Sequence, residues 1–208
     1  HEPHRFRSVA EAMATVPVAT AALGPVAGLP AARLVAAHLS VMARENAQVL
    51  SAGPAVVERA LGEKKTKEEL GGANVHTKNG VIDNVADNEA HAFLQIRNFL
   101  SYLPANVWEL PPITVSNDSP DRTETALRNI IPRDRRKLYN MRTLISHVID
   151  TKSFFEIGSE YGRGQITALA RLSGQPVGIW ANNCRYLAGA MTALGARKAR
   201  RFIEFCET

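Results

Sequence analysis

The 208-residue chain lacks most of the features that mark large functional classes. Its two cysteines, Cys184 and Cys206, are too few for a disulfide framework and lack the paired spacing of a zinc site, so a reducing compartment is expected. Aromatics are only 6% of residues and do not interleave with basic ones, and no recognition-helix pattern accompanies the charge, which argues against a nucleic-acid binder. The long uncharged run from Ala12 to Ala32 is broken by Pro17, Gly24, Pro25, Gly28 and Pro30, and no membrane span is expected. A nucleophile elbow, a Walker loop, a dinucleotide fingerprint and HExxH are missing too. His1, His4, His38, His76, His91 and His147 are scattered without a metal-ligand partner at helical spacing, so each reads as structural or exposed and no metal is expected.

What remains is a globular composition: 45% apolar and 22% charged residues, enough for one large domain or two smaller ones. The net charge of +5 is local. RDRRK at 133–137 and RKARR at 197–201 each hold four basic residues; without these two stretches 17 basic residues stand against 19 acidic. Each cluster reads first as a solvated helix face or an interface. The chain opens on HEPHRF and stops just after an amphipathic pattern, so an internal piece of a longer chain is expected.

Phe6, Val9, Ala10 and Met13 predict a helix over 5–15, followed by a strand over Val16–Leu23. Gly24 to Pro30 reads as a turn, and Ala31 to Ala37 as a helix with Pro30 in its first turn. Strands are expected over Leu39–Ala43 and Ala47–Ser51, then a helical face of Val56, Val57, Ala60 and Leu61 that stops at Gly62. Thr66 and Glu69 have capping-box spacing. Two short strands are expected over 73–85 about the Asn79-Gly80 turn, then a helix capped by Asp87 with Phe93, Ile96, Leu100 and Leu103, supported by Ala92 and Phe99, facing the core.

Five prolines between 104 and 132 mark the boundary, giving a first domain over 1–104, a linker over 105–135 and a second domain over 136–208. The second domain reads as a helix about Leu138–Val148, strands over 153–157, 165–172 and 176–181 with a Ser173-Gly174 turn, and a helix or helix pair over 187–206. Both sides of the linker thus show strands in hairpin-like succession followed by a helix.

Asp83, Asp87 and Glu89 form no convincing catalytic pair, since Asp87 and Glu89 read as helix cap and first-turn acid. The Gly24–Leu29 turn is different. A strand, a glycine turn and a helix N-terminus present free backbone N–H groups that suit a developing oxyanion, and they ask for no particular side chain. The plainer reading is a tight strand-to-helix connection.

Taken together, several stretches resemble the carboxyltransferase (beta) subunit of biotin-dependent acyl-CoA carboxylases, the group of propionyl-, acetyl- and methylcrotonyl-CoA carboxylases. They are GPVAG at 24–28, SAGPAVVERALGE at 51–63, KEELGGANVH at 67–76, SYLP at 101–104, IIPRDRRKLYNMR at 130–142, DTKSFFEIGSEYG at 150–162, ARLSGQPVGIWANN at 170–183 and KARRFIEFC at 198–206. The resemblance implies an α/β crotonase (ClpP/crotonase-like) fold, a ββα superhelix, with this fragment spanning parts of two such domains.

It also implies an enzyme that transfers a carboxyl group from carboxybiotin to the α-carbon of an acyl-CoA, a coenzyme A thioester, over backbone oxyanion holes. Gly28 and Leu29 fall where the family places its first oxyanion pair, with Gly24, Pro25, Val26 and Ala27 beside the substrate. The implied partners are a biotin carboxylase and biotin carboxyl carrier subunit and further copies of the chain in a dimer-based hexamer. The implied location is the cytoplasm, or the mitochondrial matrix in a eukaryote. A fragment alone is expected to be inactive, because the family's site lies between subunits.

Three positions depart from the family pattern. Leu29 replaces a second glycine, Pro30 has no N–H to donate, and His38 stands where several members carry Asp. The alternatives are a biotin-dependent decarboxylase or transcarboxylase of the same fold, and a noncatalytic crotonase-like scaffold, which Leu29 favours.

Overall fold

The computed structural model describes residues 5–119, 121–134 and 136–207, with the side chains of Arg5 and Phe6 outside the description. His1, His4, the Phe6 side chain and Arg135 of the first basic cluster thus lie outside the described residues. The chain divides into two compact units, His1–Glu109 and Leu110–Thr208.

The first unit opens with α1 (Arg5–Met13) and β1 (Ala19–Ala22), then β2 (Pro25–Ala27) and α2 (Leu29–Ala36). A second such step follows: β3 (Leu39–Ala43), β4 (Gln48–Leu50) and α3 (Pro54–Leu61). After α4 (Lys67–Gly71) and α5 (Ala73–Asn79) come β5 (Asn84–Ala86) and α6 (Glu89–Leu100). In each of the two ββα steps the first strand joins a three-stranded sheet, β1-β3-β5, and the second joins a two-stranded sheet, β2-β4. Every one of these pairings is parallel, with Ala19 opposite Leu39, Val41 opposite Asn84 and Val26 opposite Val49. All five residues of β3 are buried, as expected of a central parallel strand covered on both faces. The core gathers small residues, Ala22, Ala31, Ala43, Ala47 and Ala73, around Leu34, Met42 and Ile82, so the layers approach closely.

Local chemistry sets the boundaries. Gly62 closes α3 in the left-handed region, at φ 71, and its N–H bonds Glu58 O. The expected capping box opens α4: the Thr66 hydroxyl accepts from the Glu69 N–H while the Glu69 carboxylate accepts from the Thr66 N–H at 2.8 Å. The Thr66 N–H, and after it the Thr66 hydroxyl, which also donates to the Glu69 carboxylate at 2.8 Å, hold that carboxyl below the usual carboxylate range.

Several expectations are corrected here. Residues 73–79 are helical, so one strand and one helix replace the two strands expected over 73–85. Gly80 adopts φ 80 and donates to His76 O, making Asn79-Gly80 a helix C-terminus where a hairpin turn was expected. Asn88, not Asp87, caps α6 through its side chain on the His91 N–H. The buried face of α6 is Ala92 and Phe99; Phe93 and Leu100 are exposed. Val56, Ala60 and Leu61 of α3 are exposed as well. The 24–30 turn contains the strand β2, and α2 starts at Leu29, two residues before the expected Ala31. Asp83 spends its carboxylate on the N–H and hydroxyl of buried Ser40, at 2.9 and 3.0 Å.

The second unit contains α7 (Leu127–Ile130), α8 (Met141–Val148), β6 (Phe155–Ile157), β7 (Gln165–Leu172), β8 (Gln175–Asn182) and, after a short 3-10 turn at Leu187–Gly189, α9 (Ala193–Glu207). Its sheet, β6-β7-β8, is antiparallel, so the hairpin-like succession expected of both halves holds only here. Ser173 and Gly174, at φ 51 and 81, form the two-residue turn between β7 and β8. Segment 110–124 is bonded into this unit: Thr114 N–H donates to Gly174 O, and Arg171 donates to Pro112 O. Arg122 caps the end of α8, donating to the carbonyls of His147 and Ile149 at 3.0 and 2.9 Å. Ile145, Ile149, Ile166 and Ala170 form the core.

Candidate active site

The Gly24–Leu29 stretch crosses from one sheet to the other. Leu23 and Val26 pack on the core, while Pro25 and Ala27 are exposed. Gly28 then reverses the chain at φ 66 and ψ −136 and serves as the N-cap of α2. A Cβ added to Gly28 would meet no heavy atom within 4 Å. Glycine is therefore required by backbone conformation, not by space. The first intrahelical bond is Ala32 N–H to Gly28 O, at 3.1 Å, so the amide of Leu29 precedes the helical ladder. Pro30 in the first turn contributes no N–H, which leaves the end of α2 with fewer donors than an ordinary helix has. Leu29 is 39% exposed.

A cleft of about 640 Å³ opens at this point. Gly28, Ala31 and Val35 line one side of it, and Leu50, Val57 and His76 the other. Its lining is mostly apolar and its volume lies within the usual range of small-molecule sites. Of the six residues singled out from sequence, Gly28 lines the cleft; Leu29 is its chain neighbour, and Gly24, Pro25, Val26 and Ala27 form the approach and β2 behind it.

His76, which the sequence marks only as structural or exposed, belongs to this region. It is half-buried, lines the cleft, and places Nε2 2.7 Å from Val49 O. Its place in the GGANVH stretch, just after two glycines that let a helix approach a strand, was the available signal. His38 accepts the Val18 N–H on Nδ1 at 3.0 Å and so joins the turn into β3 to the start of β1.

The basic clusters divide in the structure. Lys198, expected on a solvated face or an interface, is 6% exposed and donates to Gly158 O and Gln165 O at 2.7 and 2.8 Å. Arg200 pairs with Glu204 on the surface, and Arg136 folds back on Asp134 and holds that carboxyl low. Among the described residues, no group of three or more His, Cys, Asp or Glu side chains is arranged to hold a metal ion, and no helix is long and apolar enough to cross a membrane.

The chain is 36% identical over 204 residues to the propionyl-CoA carboxylase carboxyltransferase subunit of Haloferax mediterranei, covering 98% of this chain and 40% of that protein. It is 33% identical to the methylmalonyl-CoA decarboxylase subunit alpha of Veillonella parvula, over 94% of this chain and 39% of the relative. It thus spans about 40% of the length of such curated relatives. A crystal structure of the transcarboxylase 12S hexamer, with hydrolysed methylmalonyl-coenzyme A bound, matches with a TM-score of 0.91 at 31% identity, over 97% of this chain and 40% of that one. A single-chain long-chain acyl-CoA carboxylase matches with a TM-score of 0.83 at 29% identity, over 97% of this chain and 20% of its own. The ββα arrangement is therefore the crotonase-like fold of these carboxyltransferases. With the carboxyl transferase domain model matching residues 4–208 as well, the chain belongs to the carboxyl transferase domain family.

Proposed function

We propose that the protein containing this chain transfers a carboxyl group from carboxybiotin to the α-carbon of an acyl-CoA. The observation that carries this reading is Gly28, whose left-handed backbone stands at the N-terminus of α2 on the rim of a largely apolar cleft. Removing a proton α to a thioester puts negative charge on the thioester oxygen. The Gly28 and Leu29 amides offer preorganised donors to that oxygen, and the positive end of α2 adds to them. No side-chain acid or base is needed at this point. Gly24 to Ala27 hold the turn that aims the two amides, and Leu29 narrows the approach to them. Carboxybiotin, presented by a partner, supplies the carboxyl group and the base that takes the α-proton.

This reading includes a biotin carboxylase and biotin carrier partner, a homo-oligomer built from dimers, and a cytoplasmic or mitochondrial-matrix setting. The two units, divided in the chain between Glu109 and Leu110, represent parts of two carboxyltransferase domains, so the fragment alone is inactive.

The test uses the full-length protein with a biotinylated carrier, biotin carboxylase, ATP and labelled bicarbonate, and a panel of acyl-CoAs. Label fixed on at least one acyl-CoA is the expected result. If none is carboxylated while a malonyl-type thioester loses carbon dioxide, the transfer runs the other way and the reading is wrong.

A further inference from the structure

The Gly28 and Leu29 amides can be no better fixed than β2, and β2 is three residues long with a single partner strand. Two-stranded ribbons of this size are marginal on their own. Something else must hold the pair. Val26 lies opposite Val49 and Ala27 opposite Leu50, so the position of β4 sets the position of β2.

Two features act on one atom of β4, the carbonyl oxygen of Val49. A Cβ added to Gly71 would come 2.1 Å from Val49 O and 2.6 Å from Leu50 Cδ2, so α4 can lie this close to β4 only with glycine at 71. On the same oxygen, His76 Nε2 stands at 2.7 Å. A carbonyl oxygen only accepts, so Nε2 carries the proton. The other ring nitrogen, Nδ1, lies 3.4 Å from Asn79 Nδ2, which donates to it, while Asn79 Oδ1 accepts the Val81 N–H at 3.0 Å. The relay Val81, Asn79, His76, Val49 therefore has one consistent set of donors and acceptors. His76 O in turn accepts the N–H groups of Gly80, Val81 and Ile82, which anchors the imidazole to the closed end of α5.

We infer that His76 is a positioning residue for the backbone amides at 28 and 29, acting through Val49 O and the β4–β2 register. The inference rests on the carboxyltransferase reading above for its catalytic consequence. Its structural content, that the His76 bond fixes β2, stands apart from that reading. Residues displaced by an ångström cost a reaction about 10² in rate, so loss of the bond should appear in kcat more than in KM.

The experiment compares the full-length protein with His76→Leu and His76→Gln. Leucine removes the donor, whereas the glutamine amide nitrogen reaches the place of Nε2 and restores it. Peptide-level hydrogen exchange should rise over 24–30 in His76→Leu, remain unchanged over 39–43, and return to the wild-type level in His76→Gln. The acyl-CoA kcat should fall about 10- to 100-fold in His76→Leu at nearly constant KM and recover in His76→Gln. Unchanged exchange over 24–30, or a glutamine variant as impaired as the leucine variant, overturns the inference. If the wild type carboxylates no acyl-CoA, the functional reading fails and the exchange comparison alone decides the role of His76.

Discussion

Arg142 of α8 binds Glu156 of β6 at two points, its Nε and Nη2 lying 2.6 and 2.5 Å from the two carboxylate oxygens. The carboxylate is the more buried partner, with 14% of its side chain exposed against 34% for the guanidinium. The hydrogen bond to Glu156 is also the main reason the Arg142 guanidinium is held still more firmly in its charged form.

Cutting that pair from one side should be costly. Arg142→Leu leaves a mostly buried carboxylate without its cation and is expected to lower stability by about 2 kcal/mol, less than a fully buried pair would lose because solvent screens part of it. Arg142→Lys keeps charge but not the two-point geometry and should recover about half. Urea denaturation of the three proteins measures both. A double variant, Arg142→Leu with Glu156→Leu, that is no more stable than Arg142→Leu would contradict the desolvation account.

Gly28→Ala separates conformation from space. The added methyl group meets nothing, yet an L residue at φ 66 and ψ −136 is strained by about 1–3 kcal/mol, so the turn relaxes and the two amides change direction. The expected outcome is a modest fall in melting temperature with a loss of acyl-CoA turnover of at least tenfold. Normal turnover would remove Gly28 from the oxyanion role.

Leu29→Gly is expected to act in the opposite sense on substrate approach. The N–H is kept and the side chain at the amide pair is removed, so kcat/KM should rise, most for bulky acyl groups, while the helix start loses about 0.5–1 kcal/mol of stability. Competition assays with short and branched acyl-CoAs read this directly. If neither binding nor turnover responds, Leu29 is not at the thioester.

The turn between β7 and β8 carries a pH signature. Burial pushes the Asp150 carboxyl upward, but the Gly174 and Ser173 N–H groups outweigh it, helped by Ser116 and Arg122, and its pKa ends below the usual value. The charged form is therefore the stabilising one. Its contribution is complete above the unfolded carboxyl pKa of about 3.9 and disappears as pH falls through the lower folded value. Urea midpoints of wild type and Asp150→Asn should differ most near neutral pH and converge below about pH 4. A constant gap down to pH 3 would show that the charge on Asp150 is irrelevant.

The sequence was most legible where one chemical signal acts alone. Thr66 with Glu69, Gly62 and Ser173-Gly174 each mark a boundary through local hydrogen bonding or backbone freedom, and each is found where expected. It misled where a signal has two uses. Asn79-Gly80 supplies a left-handed residue both to hairpins and to helix ends, and only the packing of Ala73 and Thr77 selects the helix. The α6 stripe was drawn too wide: of its members Ala92 and Phe99 are buried while Phe93 and Leu100 are exposed, because apolar side chains occupy both faces of the helix. The parallel pairing of the first unit was hidden, since strand partners 20 or more residues apart leave no local trace. In the site, the glycine at 28 was visible as a motif, whereas the hold of His76 on Val49 depends on a distance between elements 27 residues apart.

The contrast between the two sheets bears on how the chain begins to fold. In the first unit every strand pair closes a long crossover before it yields a hydrogen bond, whereas β7 and β8 meet across two residues. Hairpins of that kind form in about 1–10 μs, far ahead of pairings that must first close a long loop. The β7–β8 hairpin is thus expected to form the kinetic nucleus, although it follows the first unit in the chain. Pulse-labelled hydrogen exchange during refolding should protect 165–182 before 39–43, and the reverse order would place the nucleus in the first unit.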